Sequence, residues 1–240
     1  MPETYLYKRN MNKNTDFNVW LAFPECNSFS LSSIGYLWLF KELDENENIF
    51  VERICTDTQS TRIRPENIDA IGFSFTFDMD FINIFKIMEQ YNIPFKSKDR
   101  KNGNYPIVYG GGPVLTANPE PYKDIFDFIV VGDGEGVNIQ AINTCRLYKK
   151  DSNLLKELAK IEGVYVPYIH TIENPAIKSH SNLNNIVHTS ILSDESFFQN
   201  TFIIETSRGC YNCCGFCIAS YLNLPVRFAD YDKIIEIIDF

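Results

Sequence analysis

Histidine is scarce in this chain, long apolar runs are absent, and positive charge is in deficit. No stretch of the 240 residues approaches the roughly 20 apolar residues of a membrane-spanning helix. Met1 to Asn18 is polar and lacks the apolar core of a secretory signal. Together these absences set the expectation of a cytoplasmic chain with no membrane partner. Lys and Arg number 22 against 31 Asp and Glu, a formal charge of −9. That balance argues against a general nucleic-acid surface, though not against a local basic site. The three histidines, His170, His180 and His188, fall in one weakly patterned stretch and read as solvated polar groups. No Ser-His-Asp set, Walker loop or internal repeat is present. Asp78 and Asp80 form a close acidic pair that reads as capping for the helix that follows.

What is present first is an alternation of strand and helix patterns. Phe17–Phe23, Asn48–Cys55, Ile68–Phe75, Pro106–Tyr109 and Phe128–Val131 are apolar strand patterns. Leu31, Ile34, Leu37 and Trp38 mark a helix with a serine available as cap, and Phe81, Ile84, Phe85, Met88 and Tyr91 mark another. A third helix runs onward from about Glu135. Five strands alternating with helices predict an α/β fold, a doubly wound parallel sheet in a flavodoxin-like (Rossmann-type) order, with a ligand crevice at the strands' carboxyl ends. Glycines gather at those ends: Gly110, Gly111 and Gly112 after the fourth strand, then Gly132, Gly134 and Gly136 after the fifth. Neither group has dinucleotide-fingerprint spacing, and by themselves they read as two tight strand-to-helix turns.

Four cysteines then crowd into eight residues, Cys210, Cys213, Cys214 and Cys217. Thiolates favour iron–sulfur clusters, zinc or Cu(I). Cys210, Cys214 and Cys217 have CxxxCxxC spacing, and three thiolates can hold three irons of a 4Fe–4S cube while leaving the fourth open. Zinc prefers four ligands, often two short-spaced pairs from separate turns, and adjacent Cys213 and Cys214 would strain to bind one ion. Cys213 therefore reads as a bystander, and the isolated Cys26, Cys55 and Cys145 as buried packing residues. Thr201–Glu205 ahead of the cysteines reads as a short buried strand. Tyr231, Ile234, Ile235 and Ile238 mark one face of a helix opening near Asp230.

The stretch Glu205-Thr-Ser-Arg-Gly-Cys-Tyr-Asn-Cys-Cys-Gly-Phe-Cys217 resembles the radical SAM superfamily. The resemblance implies Cys210, Cys214 and Cys217 as ligands of a 4Fe–4S cluster. Its open iron would chelate S-adenosylmethionine (SAM), whose reductive cleavage yields a 5′-deoxyadenosyl radical. It implies Phe216 near the adenine, an external electron donor, and Glu205, Arg208 and Arg227 as candidate polar groups on the SAM side. Upstream, Gly110-Gly-Gly-Pro-Val-Leu-Thr-Ala-Asn-Pro-Glu-Pro121 and Phe126-Asp-Phe-Ile-Val-Val-Gly-Asp-Gly-Glu135 look like the cobalamin-binding-type domain that precedes many radical SAM domains. Ile71–Phe75, Ile93–Arg100 and Gly163–Pro167 also fit, so the likeness runs from about Phe17. It implies that Gly110, Gly111, Gly112, Gly132, Gly134 and Glu135 border a crevice for the cobalamin nucleotide tail.

Two departures qualify the likeness. The loop after the first strand, Pro24-Glu-Cys-Asn-Ser-Phe-Ser30, lacks the histidine with which some corrinoid domains bind cobalt. Either cobalamin binds without a protein imidazole, or the domain is kept as a scaffold or substrate-recognition module. The chain also stops at Phe240, inside the first helix after the cysteines, before the further strands and glycine-rich SAM motif of the barrel. Ile234, Ile235, Ile238 and Phe240 would then be partly uncovered. The resulting expectation has three parts: a cobalamin-binding-type α/β domain (1–167), a linker (168–200), and the start of an incomplete radical SAM domain (201–240). The parent would be a radical SAM enzyme acting on an unknown small-molecule or macromolecular substrate, its barrel supplied in cis or as a separate chain, with this chain alone inactive. The alternatives are a non-catalytic corrinoid or small-ligand binding module with a vestigial cysteine loop, and a zinc-stabilised interaction domain.

Overall fold

Segments that read as nearly continuous apolar runs become strands buried on both faces. The computed structural model describes residues 3–9, 13, 15–60, 62–101, 103–149 and 151–239. After a two-residue strand β1 (Thr4–Tyr5), the main sheet comprises β2 (Phe17–Ala22), β3 (Ile49–Ile54), β4 (Ala70–Ser74), β5 (Ile107–Gly111), β6 (Phe128–Val130) and β7 (Val164–Tyr165). Their order is β3-β2-β4-β5-β6-β7. The first five pair in parallel, and β7 adds an antiparallel edge, so the sheet is mixed. The helices of this region are α1 (Asn27–Ser30), α2 (Ile34–Glu45), α3 (Phe81–Gln90), α4 (Ser97–Arg100), α5 (Pro113–Ala117), α6 (Val137–Leu147) and α7 (Leu154–Leu158). The single helix expected after Pro24 is thus two, α1 and α2, with Ser33 at the α2 N-cap making no side-chain hydrogen bond.

The period-two alternation of β2 divides the core into two layers. Phe17, Val19 and Leu21 pack with Tyr36, Leu37, Phe40 and Leu43 of α2 and with Ala141, Ile142 and Cys145 of α6. Trp20 and Ala22 face the other layer, with Ile84, Ile87 and Met88 of α3 and Leu115 of α5. Phe85, expected on the α3 core face, is exposed, and Ile87 takes its place. The chain grows outward from β2 toward β3 through α2, and from β4 toward β5 through α3. These directions are opposite, so right-handed crossovers put α2 and α3 on opposite faces. Between β2 and β4 the strand order therefore reverses, which opens a crevice at the carboxyl ends.

Several expectations change outside the sheet. In the stretch 168–200, Leu183, Ile186, Val187 and Ile191 are buried, and β8 (Ile191–Leu192) pairs with β1. His170 is buried and its Nδ1 accepts from the Val166 N–H at 2.9 Å, while His188 packs edge-on to the Trp38 ring at 5.0 Å. Burial lowers the pKa of both, so only His180 is the exposed polar group expected. Thr201–Glu205 is exposed at its start and half-buried further on, and it bonds through its backbone to the stretch 187–189 and to Phe198 rather than to the main sheet. The strand here is instead β9 (Ser207–Arg208), paired antiparallel with β10 (Arg227–Phe228). Around it lie α8 (Ile218–Leu222) and α9 (Tyr231–Ile238). Asp230 caps α9 by accepting from the Lys233 N–H at 3.1 Å, but no residue of α9 is buried; Phe240 lies outside the described residues. Asp80 accepts from the Phe77 N–H at 3.1 Å and so closes the turn ahead of α3. Cys55 and Cys145 are buried as expected, and Cys26 is half-buried. Among the described residues, no helix is long and apolar enough to cross a membrane.

One packing detail shapes the crevice. Tyr109 of β5 lies flat against Phe128, with ring centroids 4.9 Å apart and an interplanar angle of 5°. Its outer edge lies over Gly72 of β4, where a Cβ would fall 2.2 Å from the Tyr109 Cζ. Any side chain at position 72 must displace a fully packed ring. We expect Gly72→Ala to lose about 1–3 kcal/mol, the usual cost of overpacking a core. Gly35→Ala, in α2 with nothing within 4 Å of the added carbon, should be neutral or gain up to about 1 kcal/mol. Urea unfolding of the two variants checks this; equal midpoints would contradict it.

Candidate functional site

At the carboxyl ends of β2, β4, β5 and β6 lies a cavity of about 560 Å³. Leu21, Gly72, Tyr109 and Val130 of the sheet line it, with Gly35, Tyr36 and Leu39 from the start of α2 and Asn138 from the start of α6. Thr116 and the two glycine turns border it. Its far side is formed by the cysteine-bearing segment: Glu205, Ser207, Arg208, Gly209, Ile218, Ala219, Leu222 and Asn223. The crevice therefore lies between the sheet and residues 205–223.

The expected site residues divide on this geometry. Gly111, Gly112, Gly132, Gly134 and Glu135 line the cavity. Gly110 does not: its missing side chain would point at Leu115 and Phe126, in the opposite core layer, because side chains alternate along β5. Gly112 has φ +115°, and a Cβ there would sit 2.5 Å from the Phe75 carbonyl oxygen, so only glycine fits the turn. Glu205 and Arg208 line the far side, whereas Arg227 does not. Phe216 is 92% exposed and does not line the cavity.

The acidic turn after β6 and the arginines around the cysteines form one ion network. Arg208 donates to Glu205 at 2.8 and 2.6 Å, to Glu135 at 3.2 Å and lies 2.8 Å from Asp133. Arg227 also donates to Asp133, which accepts the Ser181 N–H at 2.7 Å. All five side chains are mostly buried. Burial works against the Asp133 carboxylate, but hydrogen bonds from Arg227 and Arg208 prevail and hold its pKa below the ordinary value. Burial likewise opposes the Arg208 charge, and Glu205 and Glu135 outweigh it, pushing that pKa up. Lys178 adds a donor to the Leu222 carbonyl at 2.7 Å. The network ties the strand-end turn to the cysteine segment.

The cysteine loop itself is open. Cys210, Cys214 and Cys217 are half-exposed and Cys213 is exposed with φ +41°. The Cys217 N–H donates to the Cys214 carbonyl at 2.9 Å, and Cys217 opens α8. Hydrogen bonds from the Ser220 side chain and backbone lower the Cys217 pKa. Among the described residues, no three His, Cys, Asp or Glu side chains converge to hold a metal ion. The donor set suits iron–sulfur ligation, but the thiols do not yet meet.

Three cavity residues escaped the sequence reading. Asp133 sits within the glycine run, and its acidity opposite two distant arginines was the available clue. Tyr109 and Asn138 carry no motif, since their meeting depends on the pairing of β5 and β6 and on the entry of α6. The Asp133 network yields a prediction. Removing one partner of a mostly buried ion network costs on the order of 3 kcal/mol, so Asp133→Asn should speed amide exchange across residues 205–239 while sparing the sheet. The Asp133 pKa is depressed on folding, so its contribution is complete above the ordinary aspartate value of 3.8 and is lost as pH falls through the lower folded value. Exchange across 205–239 that is unchanged in the variant would contradict this account.

The fold has known counterparts. Two solved structures of the cobalamin-dependent S-adenosylmethionine radical enzyme OxsB are similar. The one with aqua-cobalamin and S-adenosylmethionine bound has a TM-score of 0.58, and the one with aqua-cobalamin has 0.60. Each is 18% identical and is matched over 93% of this chain but 31% of its own. An uncharacterized protein of Methanocaldococcus jannaschii, MJ0966, is 26% identical over 172 residues, 71% of this chain and 34% of that protein. The chain thus spans about a third of the length of these relatives. Residues 39–167, more than half of the chain, match the family described as radical SAM proteins, N-terminal, and the chain belongs to that family.

Proposed function

We propose that this chain is the corrinoid-binding and cluster-carrying portion of a radical SAM enzyme. The observation that carries the proposal is the cavity between the glycine turns and the segment that bears the cysteines: Gly209 and Ile218, the chain neighbours of Cys210 and Cys217, line it, although the thiols themselves do not. Its volume falls within the roughly 300–1,000 Å³ of small-ligand sites, suited to a nucleotide tail rather than a whole corrinoid. Gly111, Gly112, Gly132 and Gly134 would let the backbone approach that tail. No histidine stands in the Pro24–Ser30 loop, so cobalt would take no imidazole from it. The strand order supports reading residues 1–167 as a flavodoxin-like domain, with 168–200 packed against it and 201–240 opening the radical SAM unit.

Cys210, Cys214 and Cys217 would supply the thiolates of a 4Fe–4S cluster. So held, it would leave one iron for S-adenosylmethionine and supply the electron that cleaves it. The exposure of Tyr211 and Phe216 and the open space around Gly215 leave the loop room to close as ligands are taken up, and ligation would then order it. Arg208, two residues before Cys210, would hold the base of that loop against Glu135. Barrel strands from elsewhere in the enzyme would complete the SAM site and keep water from the radical. The unconverged thiols favour one second reading, a ligand-binding module without a cluster.

Anaerobic reconstitution with iron and sulfide separates the two. The proposal expects one 4Fe–4S cluster per chain, abolished by Cys210→Ala, Cys214→Ala or Cys217→Ala and retained in Cys213→Ala. Stoichiometric zinc without iron–sulfur absorption would contradict it. With the cluster in place and a strong reductant, 5′-deoxyadenosine should form slowly without the barrel and faster once it is supplied.

A further inference from the structure

The chain as a whole is acidic, yet three guanidinium groups gather in one hollow. A second cavity, of about 230 Å³, lies along β3, the edge strand of the main sheet, and shares no lining residue with the crevice described above. Arg9, Arg53 and Arg62 line it beside Gln59, and Glu52 is the one carboxylate among the described lining residues. Glu52 is engaged with the loop that follows. It accepts the Arg62 N–H at 3.0 Å, the Ile63 N–H at 2.8 Å and the Ser60 hydroxyl at 2.5 Å. Its charge is thus spent on fixing the loop that presents Arg62.

The other two guanidinium groups are held from one side. Arg9 donates to Asp44 through Nε and Nη2, at 2.7 and 3.1 Å, and its Nη1 has no partner among the described residues. Aromatic rings brace it: its Cζ lies 4.4 Å from the Tyr5 centroid and 5.6 Å from that of Phe40. Arg53 pairs with Glu3 through Nη2 and lies 5.4 Å from the same Phe40 ring, and its Nη1 is buried without a partner. Burial opposes both charges, but Asp44 and Glu3 outweigh it and raise both pKa values, so both groups stay cationic. Lys13 stands behind them, its Nζ 3.9 Å from Asp44. Four cations therefore face three carboxylates, Glu3, Asp44 and Glu52, in a chain whose net charge is −9. Crowding like charges costs energy that an anion among them would recover.

Size and chemistry narrow the ligand. The volume lies below the roughly 300–1,000 Å³ of ordinary small-ligand pockets, so a compact group fits best. Guanidinium forks match the paired oxygens of a carboxylate or phosphate. We propose that this cavity binds a compact oxyanion, a carboxylate or phosphate group, with Arg9 and Arg62 donating hydrogen bonds and Arg53 supplying charge from the wall. The bound anion would clip the amino-terminal segment and the loop at residues 59–62 to the edge of the sheet. The site is independent of the corrinoid and cluster functions proposed above.

The test titrates the isotope-labelled 240-residue chain with sodium phosphate and, separately, sodium propionate, followed by amide NMR shifts. Ionic strength is held constant with sodium chloride, because salt screens exposed charges. Saturable shifts at Arg53, Gln59 and Arg62 are expected, and the tighter of the two probes identifies a phosphate or a carboxylate as the natural group. Arg62→Gln should weaken that probe about tenfold, one charge-assisted hydrogen bond's worth. Arg9→Lys keeps a cation beside Asp44 but loses the fork, and should act in the same direction. Both variants should retain the parent's circular dichroism. Lys156→Gln, on the exposed side of α7, should bind as the parent does. Shifts that never saturate, shifts centred elsewhere, binding unchanged in both arginine variants, or equal weakening by Lys156→Gln would each overturn the inference.

Discussion

Two arginines from the cysteine-bearing segment reach back to the acidic turn that ends β6. Arg208 is gripped by Asp133, Glu135 and Glu205, and Arg227 by Asp133. Exposed ion pairs contribute little, because solvent screens them and long side chains lose freedom. These are different: all five side chains are mostly withdrawn from water, and Arg208 serves three carboxylates at once. No apolar side chain of α8 or α9 is fully buried, so the hydrophobic effect alone does not hold this segment in place. The ion network, with Lys178 on the Leu222 carbonyl, adds to it. Together they hold the segment that forms the far side of the crevice.

The sheet explains why the crevice lies where it does. Crossovers leave β2 and β4 in opposite directions, so α2 and α3 cover different faces and neither closes the gap at the carboxyl ends. Gly72 and Tyr109 then set the depth of the gap: the missing side chain admits the ring, and the ring brings its hydroxyl beneath the cavity. Gly111, Gly112, Gly132 and Gly134 leave their parts of the rim without side chains. Topology, packing and turn chemistry thus converge on one place, and the charges recruit the cysteine segment to it.

Much of this was legible in the residues. The five parallel strands follow from apolar runs bounded by turns, and their burial on both faces follows from helices on both sides. The glycine runs after the fourth and fifth strand patterns placed the two turns that border the cavity. The antiparallel β7 was not legible, because two residues carry no period. Nor was the pairing of β1 with β8, which joins a polar amino-terminal strand to a stretch of weak pattern. Gly110 shows the limit of reading a glycine run as a unit: alternation along β5 turns it toward Leu115 while its neighbour faces the crevice. His170 and His188 were misjudged because a histidine's burial depends on partners distant in sequence, such as Trp38. Asp133, Tyr109 and Asn138 were hidden for the same reason.

The central claim is that one crevice, enclosed by the sheet and the cysteine segment, serves both cofactors. Anomalous diffraction at the iron and cobalt edges, from anaerobic crystals of the chain loaded with cluster and cobalamin, tests it most directly. The account predicts iron at Cys210, Cys214 and Cys217, and cobalt at the mouth of the same crevice with the nucleotide tail between the two glycine turns. Cobalt bound elsewhere on the molecule, or iron held by other residues, would contradict it.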